Sequence, residues 1–161
     1  MNILRSVAAG AAAGAVGTVA LDLTSYADMV VRGRGASDVP SKLVRNLAAS
    51  AGIEPLLADD DATRNRRAAV GALLGYVNGL GVGALFGAVR PWLRGVPAPI
   101  AALGAGAAAM ALSDVPMATT GTSDPRTWGT AGWISDIVPH VMYGLALVWA
   151  FDAFSGCDSA S

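Results

Sequence analysis

The chain has 161 residues and a formal net charge of −1. Charged residues make up 14% of it, against about 25% in ordinary soluble domains, and the mean hydropathy is +0.49. These values argue against an ordinary soluble domain, and the near-zero net charge gives no basis for nucleic-acid binding. We expect a single all-α membrane domain that covers residues 1–161.

The first apolar run, from about 7 to 31, predicts a membrane crossing, because it is too long for the core of a signal peptide. Gly10 and Gly14 form a G-x-x-x-G pair, a pattern that lets a second helix approach closely. Asp22 lies inside the run, and a central Asp costs roughly 2.5–3.5 kcal/mol on insertion. This helix therefore needs partner helices.

Residues 32–67 form the only sizeable loop between predicted crossings. Asp38 predicts the N-terminus of a short helix within this loop. In that helix Leu43, Leu47 and Ala51 share one face. We therefore expect a short amphipathic helix that lies on the membrane surface.

An acidic run at 59–61 precedes the second crossing and is followed by three arginines. Carboxylates at this place stabilise the N-terminus of a helix, because the helix dipole favours negative charge there. A divalent-ion site is the alternative interpretation of the same run.

The second crossing, from about 68 to 89, carries no charged residue. Its length fits one helical passage through a hydrocarbon layer of ~30 Å. Small residues one turn apart allow close helix packing in membranes, so we expect this helix to be the centre of the bundle. The glycines at every fourth position are Gly71, Gly75, Gly79, Gly83 and Gly87.

Two further apolar runs predict crossings at about 100–118 and 133–154, which makes four transmembrane helices. Tryptophan is enriched where membrane helices meet water. The four tryptophans lie near the predicted helix ends, at Trp92, Trp128, Trp133 and Trp149.

Lysine and arginine predict the orientation, because cytoplasmic loops carry an excess of them. The predicted face that holds the long loop carries eight, and the opposite face carries three: Arg5, Arg90 and Arg94. The rule places the 32–67 loop in the cytoplasm and both termini outside.

Polar residues inside the predicted crossings are the candidate site: Asp22, Asn78, Asp114, Asp136 and His140. Asp136, His140 and Tyr143 are spaced i, i+4, i+7 and share one helical stripe. Counted from the helix ends, the three Asp and the His lie in the cytoplasmic half of the membrane. Asp28 and Asp152 lie nearer the ends, where we expect them to be solvated.

Three interpretations fit these residues. They could pass protons or a cation, since ionisable groups in lipid are costly and usually functional. They could bind a metal through His140 with Asp136 and Asp114. They could also be a structural polar core, in which Asp136 caps its helix, His140 bonds Asp22, and Arg126 or Arg32 neutralises Asp114. No cofactor is expected, because a single His cannot supply both axial ligands of a haem.

The motif P-H-V-M-Y-G at Pro139–Gly144 resembles the H-x-x-Y-G helix of small bacterial inner-membrane proteins of the YagU-like kind. The run Leu21–Leu43, with L-D-L, R-G-R-G and S-D-V-P, resembles actinobacterial proteins of similar type. Together they cover about a third of the chain. The resemblance implies a multi-pass topology in the bacterial plasma membrane, and it implies no reaction.

The segments outside the predicted crossings form little soluble domain that could do chemistry, and the sequence contains no Walker loop, paired-His zinc motif or nucleophile elbow. We therefore expect a non-enzymatic membrane protein whose partners are the lipid bilayer and a second copy or a larger membrane complex. The alternative is a small proton- or cation-handling transporter or channel.

Overall fold

A computed structural model of the chain describes residues 2–93 and 95–156. Within them the structure is helical and contains no strand, so the all-α prediction is confirmed. Four helices are long and apolar enough to cross a membrane. The helices are α1 (Ile3–Arg32), α2 (Val39–Ala51), α3 (Asp61–Val89), α4 (Ala98–Thr119) and α5 (Thr130–Gly156).

The four long helices form a ring in which neighbours run antiparallel. α1 packs against α3 and α5, and α4 packs against α5 and, over a shorter length, against α3. The expectation that α3 is the centre of the bundle is therefore wrong. Its outer face is open, and Leu73, Val77 and Leu85 are each more than half exposed. Lipid is as apolar as a protein core, so hydropathy does not distinguish an outer face from an inner one.

α1 and α3 meet through glycines on both helices. A Cβ atom built on Gly10 would overlap the carbonyl oxygen of Gly83, and one on Gly14 would overlap that of Gly79. Ser6 Oγ of α1 donates a hydrogen bond of 2.6 Å to the carbonyl oxygen of Gly87. The two backbones are therefore in direct contact.

The other two glycines of the repeat do not contact α1. Gly71 faces Pro40 of α2, whereas nothing within 4 Å would meet a Cβ atom on Gly75. A four-residue step advances about 40° round a helix, so the repeat turns away from α1 along its length. Gly106 of α4 and Gly144 of α5 form a second close backbone contact.

α2 packs against α3 near the end of the bundle that holds the 32–67 loop. Its buried residues are Val44 and Ala48, whereas Leu47 is 42% exposed. The side of α2 that packs on α3 is therefore that of Val44 and Ala48, and the predicted apolar face with Leu47 stays free to meet the membrane surface. The first turn of α2 docks on a glycine of α3, and this contact sets the rotation of the helix.

The two predicted helix caps differ. Asp38 makes no side-chain cap hydrogen bond and instead pairs with Lys42 at 2.8 Å. Asp60 accepts hydrogen bonds from the backbone N–H of Thr63 at 2.9 Å and from its hydroxyl at 2.8 Å. These bonds lower the pKa of Asp60, because they favour the charged carboxylate. The acidic run therefore caps α3, as predicted.

The half of the bundle away from the 32–67 loop is closely packed. Phe86 of α3 meets Phe151 of α5 edge to face, with ring centroids 5.4 Å apart. Around this pair the core contains the buried residues Ala13, Val82, Ala102, Ala105, Leu147 and Val148. The other half of the bundle is open, and it holds the candidate site.

Candidate functional site

A cavity of about 870 Å³ lies among the helices in the half of the bundle that faces the 32–67 loop. All four long helices line it, and the first turn of α2 and Trp128 border its mouth. The space exists because α3 and α4 make only limited contact. Asn78 of α3 supplies one such contact, since its Nδ2 donates to the carbonyl oxygen of Ala109 at 2.9 Å.

Tyr143 of α5 forms the floor of the cavity. Its side chain is 1% exposed, and its hydroxyl donates a hydrogen bond of 2.6 Å to the carbonyl oxygen of Gly79 on α3. The ring lies against the backbone of Gly17, where a Cβ atom would come within 2.8 Å of it. From Tyr143 to the mouth at Gly132 the cavity extends about 16 Å along α5. The cavity therefore extends from the end of the bundle that holds the 32–67 loop to Tyr143, near the middle of the bundle.

Three predicted site residues come together on the α4–α5 side of the cavity. His140 Nδ1 lies 2.8 Å from the carbonyl oxygen of Asp136 and 3.3 Å from its Oδ1. The Asp114 side chain of α4 lies close enough to Asp136 for the two carboxyl groups to interact. We call Asp114, Asp136 and His140 the polar cluster. Asp136 and His140 line the cavity, and Asp114 approaches Asp136 from α4.

The hydrogen bonds of the polar cluster define the roles of its atoms. A carbonyl oxygen only accepts, so the Nδ1 of His140 carries a proton and Nε2 is the nitrogen that gains or loses one. Asp136 Oδ2 is buried and receives no hydrogen bond. Imidazole and carboxyl groups are side chains that proteins use for proton transfer. The polar cluster brings one imidazole and two carboxyl groups to one place.

Asp22 lies apart from the polar cluster, on the α1–α3 side of the same cavity. Its Oδ2 accepts a hydrogen bond of 3.3 Å from the hydroxyl of Tyr76 on α3. Among the described residues there is no hydrogen bond between Asp22 and His140, although one was expected. Asp22 is instead bonded to Tyr76, and His140 to Asp136. Tyr76 was not among the predicted site residues. Its position in the sequence could have marked it as a site residue. Tyr76 lies far from the ends of a membrane helix, where the aromatic belt does not explain a tyrosine.

An ion-pair network holds the mouth of the cavity. Asp28 pairs with Arg32 at 2.5 Å and with Arg34 Nε at 2.6 Å, and Ser135 of α5 joins the network. Gly33, with φ of 61°, ends α1 in the left-handed region and turns the chain so that Arg34 returns to Asp28. Asp28 is thus paired rather than solvated, and Arg32 does not neutralise Asp114.

One other structural interpretation is also wrong: Asp136 does not cap its helix, because α5 begins at Thr130, more than one turn earlier. Asp152 is half exposed, as expected of a solvated residue, and its carboxylate also accepts from Arg90 at 3.2 Å. For metals, residues 2–93 and 95–156 contain no group of three His, Cys, Asp or Glu side chains placed to hold an ion.

Comparison with models of protein families, with curated proteins and with solved structures found no match for this chain.

Proposed function

We propose that this membrane protein takes up and releases protons, or a small cation, at the polar cluster. The observation that carries the proposal is the cavity itself: it extends from the loop end of the bundle to Tyr143 and has Asp136 and His140 in its wall. Ionisable side chains at membrane depth are costly and are usually retained for function. Here an imidazole and two carboxyl groups lie where water can reach them from one side.

The closed floor favours a transporter over a simple channel. The hydroxyl of Tyr143 joins α5 to α3, and apolar side chains fill the bundle beyond it. A proton that enters the cavity therefore stops at the polar cluster until the helices rearrange. Exposure of one site to alternate sides of the membrane is the usual principle of secondary transport.

We infer that the mouth of the cavity faces the cytoplasm of a bacterial cell and that both termini lie outside. The loop at the mouth and the α4–α5 connection carry most of the basic residues, as the positive-inside rule requires. They are Arg32, Arg34, Lys42, Arg45, Arg64, Arg66, Arg67 and Arg126. The resemblance of Pro139–Gly144 to bacterial inner-membrane proteins supports the location.

The orientation is tested with Cys157, the single cysteine, which lies outside the described residues. We expect a membrane-impermeant maleimide to label Cys157 in intact spheroplasts, because the C-terminus is proposed to be external. A Cys157→Ser variant controls for labelling of other groups. Labelling that requires permeabilised membranes would reverse the orientation and turn the cavity mouth outward.

Proton handling is tested in liposomes that contain the purified protein and a pH-sensitive dye. With a potassium gradient and valinomycin to set the membrane potential, we expect the wild-type protein to accelerate proton entry. Asp136→Asn should reduce that rate at least about tenfold, because an amide cannot take up the proton that a carboxyl group exchanges.

Asp152→Asn is the matched control for this experiment. It makes the same change on the same helix, but Asp152 is half exposed and pairs with Arg90 away from the cavity. Its proton rate should equal that of the wild type. Proton entry no faster than in protein-free vesicles, or an equal loss in both variants, would contradict the proposal.

A second candidate function is that of a self-associating or accessory subunit. An apolar groove of about 320 Å³ lies between α3 and α4 in the closed half of the bundle. Leu85 and Ile100, both more than half exposed, lie at this groove, and Gly104 leaves open space there. A helix of a second copy or of a membrane partner would find room there, and the particle mass in mild detergent measures such association.

A further inference from the structure

The cavity is larger than proton exchange requires. A proton path needs side chains and a few water molecules, whereas about 870 Å³ lies within the range of sites for organic ligands, roughly 300–1,000 Å³. Its wall is mainly apolar, with Ala72, Ala109 and Met117 among the lining residues. Such a wall accommodates a molecule with an apolar body.

The Asp22 carboxylate is the charge in the cavity for which the described residues supply no counter-ion. No basic side chain in the described part of the chain pairs with Asp22, which has only the hydroxyl of Tyr76 as a partner. The two basic residues that line the cavity are engaged elsewhere, Arg34 with Asp28 and His140 with Asp136. A carboxylate at membrane depth without a counter-ion is costly, and a bound cation would remove that cost.

Aromatic side chains stand beside this carboxylate. Asp22 and Tyr26 are one turn apart on α1 and line the cavity together. Tyr76 approaches from α3 and holds the carboxylate by its hydroxyl. The faces of aromatic rings attract cations, and alkylated ammonium groups are the ligands most often recognised in this way.

We propose that the cavity binds a lipophilic organic cation, with its positive centre at Asp22 between Tyr26 and Tyr76 and its apolar body against α3 and α4. This proposal goes beyond proton handling and does not rest on it, because it uses Asp22 and not the polar cluster. An organic anion would meet both Asp22 and Asp136. A hard metal ion would lack ligands, since one carboxylate and a phenol do not replace its hydration shell.

The probe is radiolabelled tetraphenylphosphonium, measured by equilibrium dialysis against the full chain in nanodiscs of phosphatidylcholine. We expect saturable binding with one site per chain. Asp22→Asn should weaken it at least tenfold, because the amide removes the charge and keeps the shape. The size-exclusion profile of each variant reports whether it remains folded.

A pair of glycine variants tests whether the organic cation binds in the cavity, and neither variant changes a charge. Gly75 lines the cavity and Gly81 does not, yet on both residues of α3 a Cβ atom would meet nothing within 4 Å. Gly75→Leu should fill the cavity and abolish binding, whereas Gly81→Leu should bind as the wild type does. No saturable binding to the wild type, equal binding by Asp22→Asn, or equal loss in both leucine variants would each overturn the proposal.

The proton assay separates this proposal from the proposed function. Loss of cation binding in Asp22→Asn with wild-type proton entry supports an organic-cation site that is independent of the polar cluster. Absence of cation binding in a wild-type protein that still moves protons overturns this inference alone. Cation binding by a wild-type protein that moves no protons overturns the proton proposal alone.

Discussion

Gly83→Ala is expected to destabilise the bundle more than any other single methyl group added to α3. A Cβ atom on Gly83 would come within 2.6 Å of the Cα atom of Gly14 and would overlap the carbonyl oxygen of Gly10. Both neighbours are backbone atoms, so no side-chain rotation relieves the overlap and α1 must move away from α3. We expect a loss of about 3 kcal/mol, the upper end for an overpacked site.

Thermal unfolding in detergent, followed by circular dichroism, measures this effect. A loss of that size lowers the melting temperature by on the order of 10 °C in a chain of this length. Gly81→Ala is the matched control, because it adds the same methyl group two residues away where a Cβ atom meets nothing within 4 Å. Alanine is the better helix former, so the control should melt at the wild-type temperature or slightly above it. Equal melting of the two variants would disprove direct backbone contact.

Tyr143→Ala is expected to have the second large effect, by removing the floor of the cavity. The ring is buried between α1 and α3, and its loss joins the cavity to the packed half of the bundle. Truncation of a buried aromatic residue to Ala costs about 3–5 kcal/mol, because the space that it leaves does not collapse completely. The free energy of unfolding should fall by that amount, as measured by denaturant titration in mixed micelles.

Two other variants separate the contributions of the Tyr143 ring and hydroxyl. Tyr143→Phe removes only the hydrogen bond to Gly79, and hydrogen bonds between membrane helices average about 0.6 kcal/mol. Phe154→Ala truncates an aromatic residue of the same helix that is 43% exposed, and it should cost much less. A Tyr143→Ala variant as stable as Phe154→Ala would show that the floor does not hold the bundle together.

The Gly83 and Tyr143 variants test two different contacts in the bundle. The α1–α3 contact holds together the closed half of the bundle, whereas Tyr143 separates that half from the cavity. If the protein transports by rearrangement, the hydrogen bond between Tyr143 and Gly79 is the contact that must open. Tyr143→Phe should then change the rate of proton entry more than it changes stability.

Hydropathy and residue spacing are enough to predict the four long helices and the polar residues within them. Hydropathy identifies apolar runs that are long enough to cross a membrane. Each such run is predicted to be a helix, because backbone groups without hydrogen bonds are costly in lipid. The pairing of Gly10 and Gly14 with a glycine-rich helix follows a local rule of backbone approach. The i, i+4 spacing of Asp136 and His140 likewise makes them neighbours on any α-helix.

The faces through which those helices meet follow from their tertiary packing and not from the sequence of any one helix. Interior and lipid-facing positions are equally apolar, so the sequence of α3 does not show that Gly75 faces a cavity while Gly83 touches backbone. Helix order and rotation brought Asp114 to Asp136 and left Asp22 beside Tyr76 on the other side. Those positions depend on contacts among four helices at once, and no local pattern of residues encodes them.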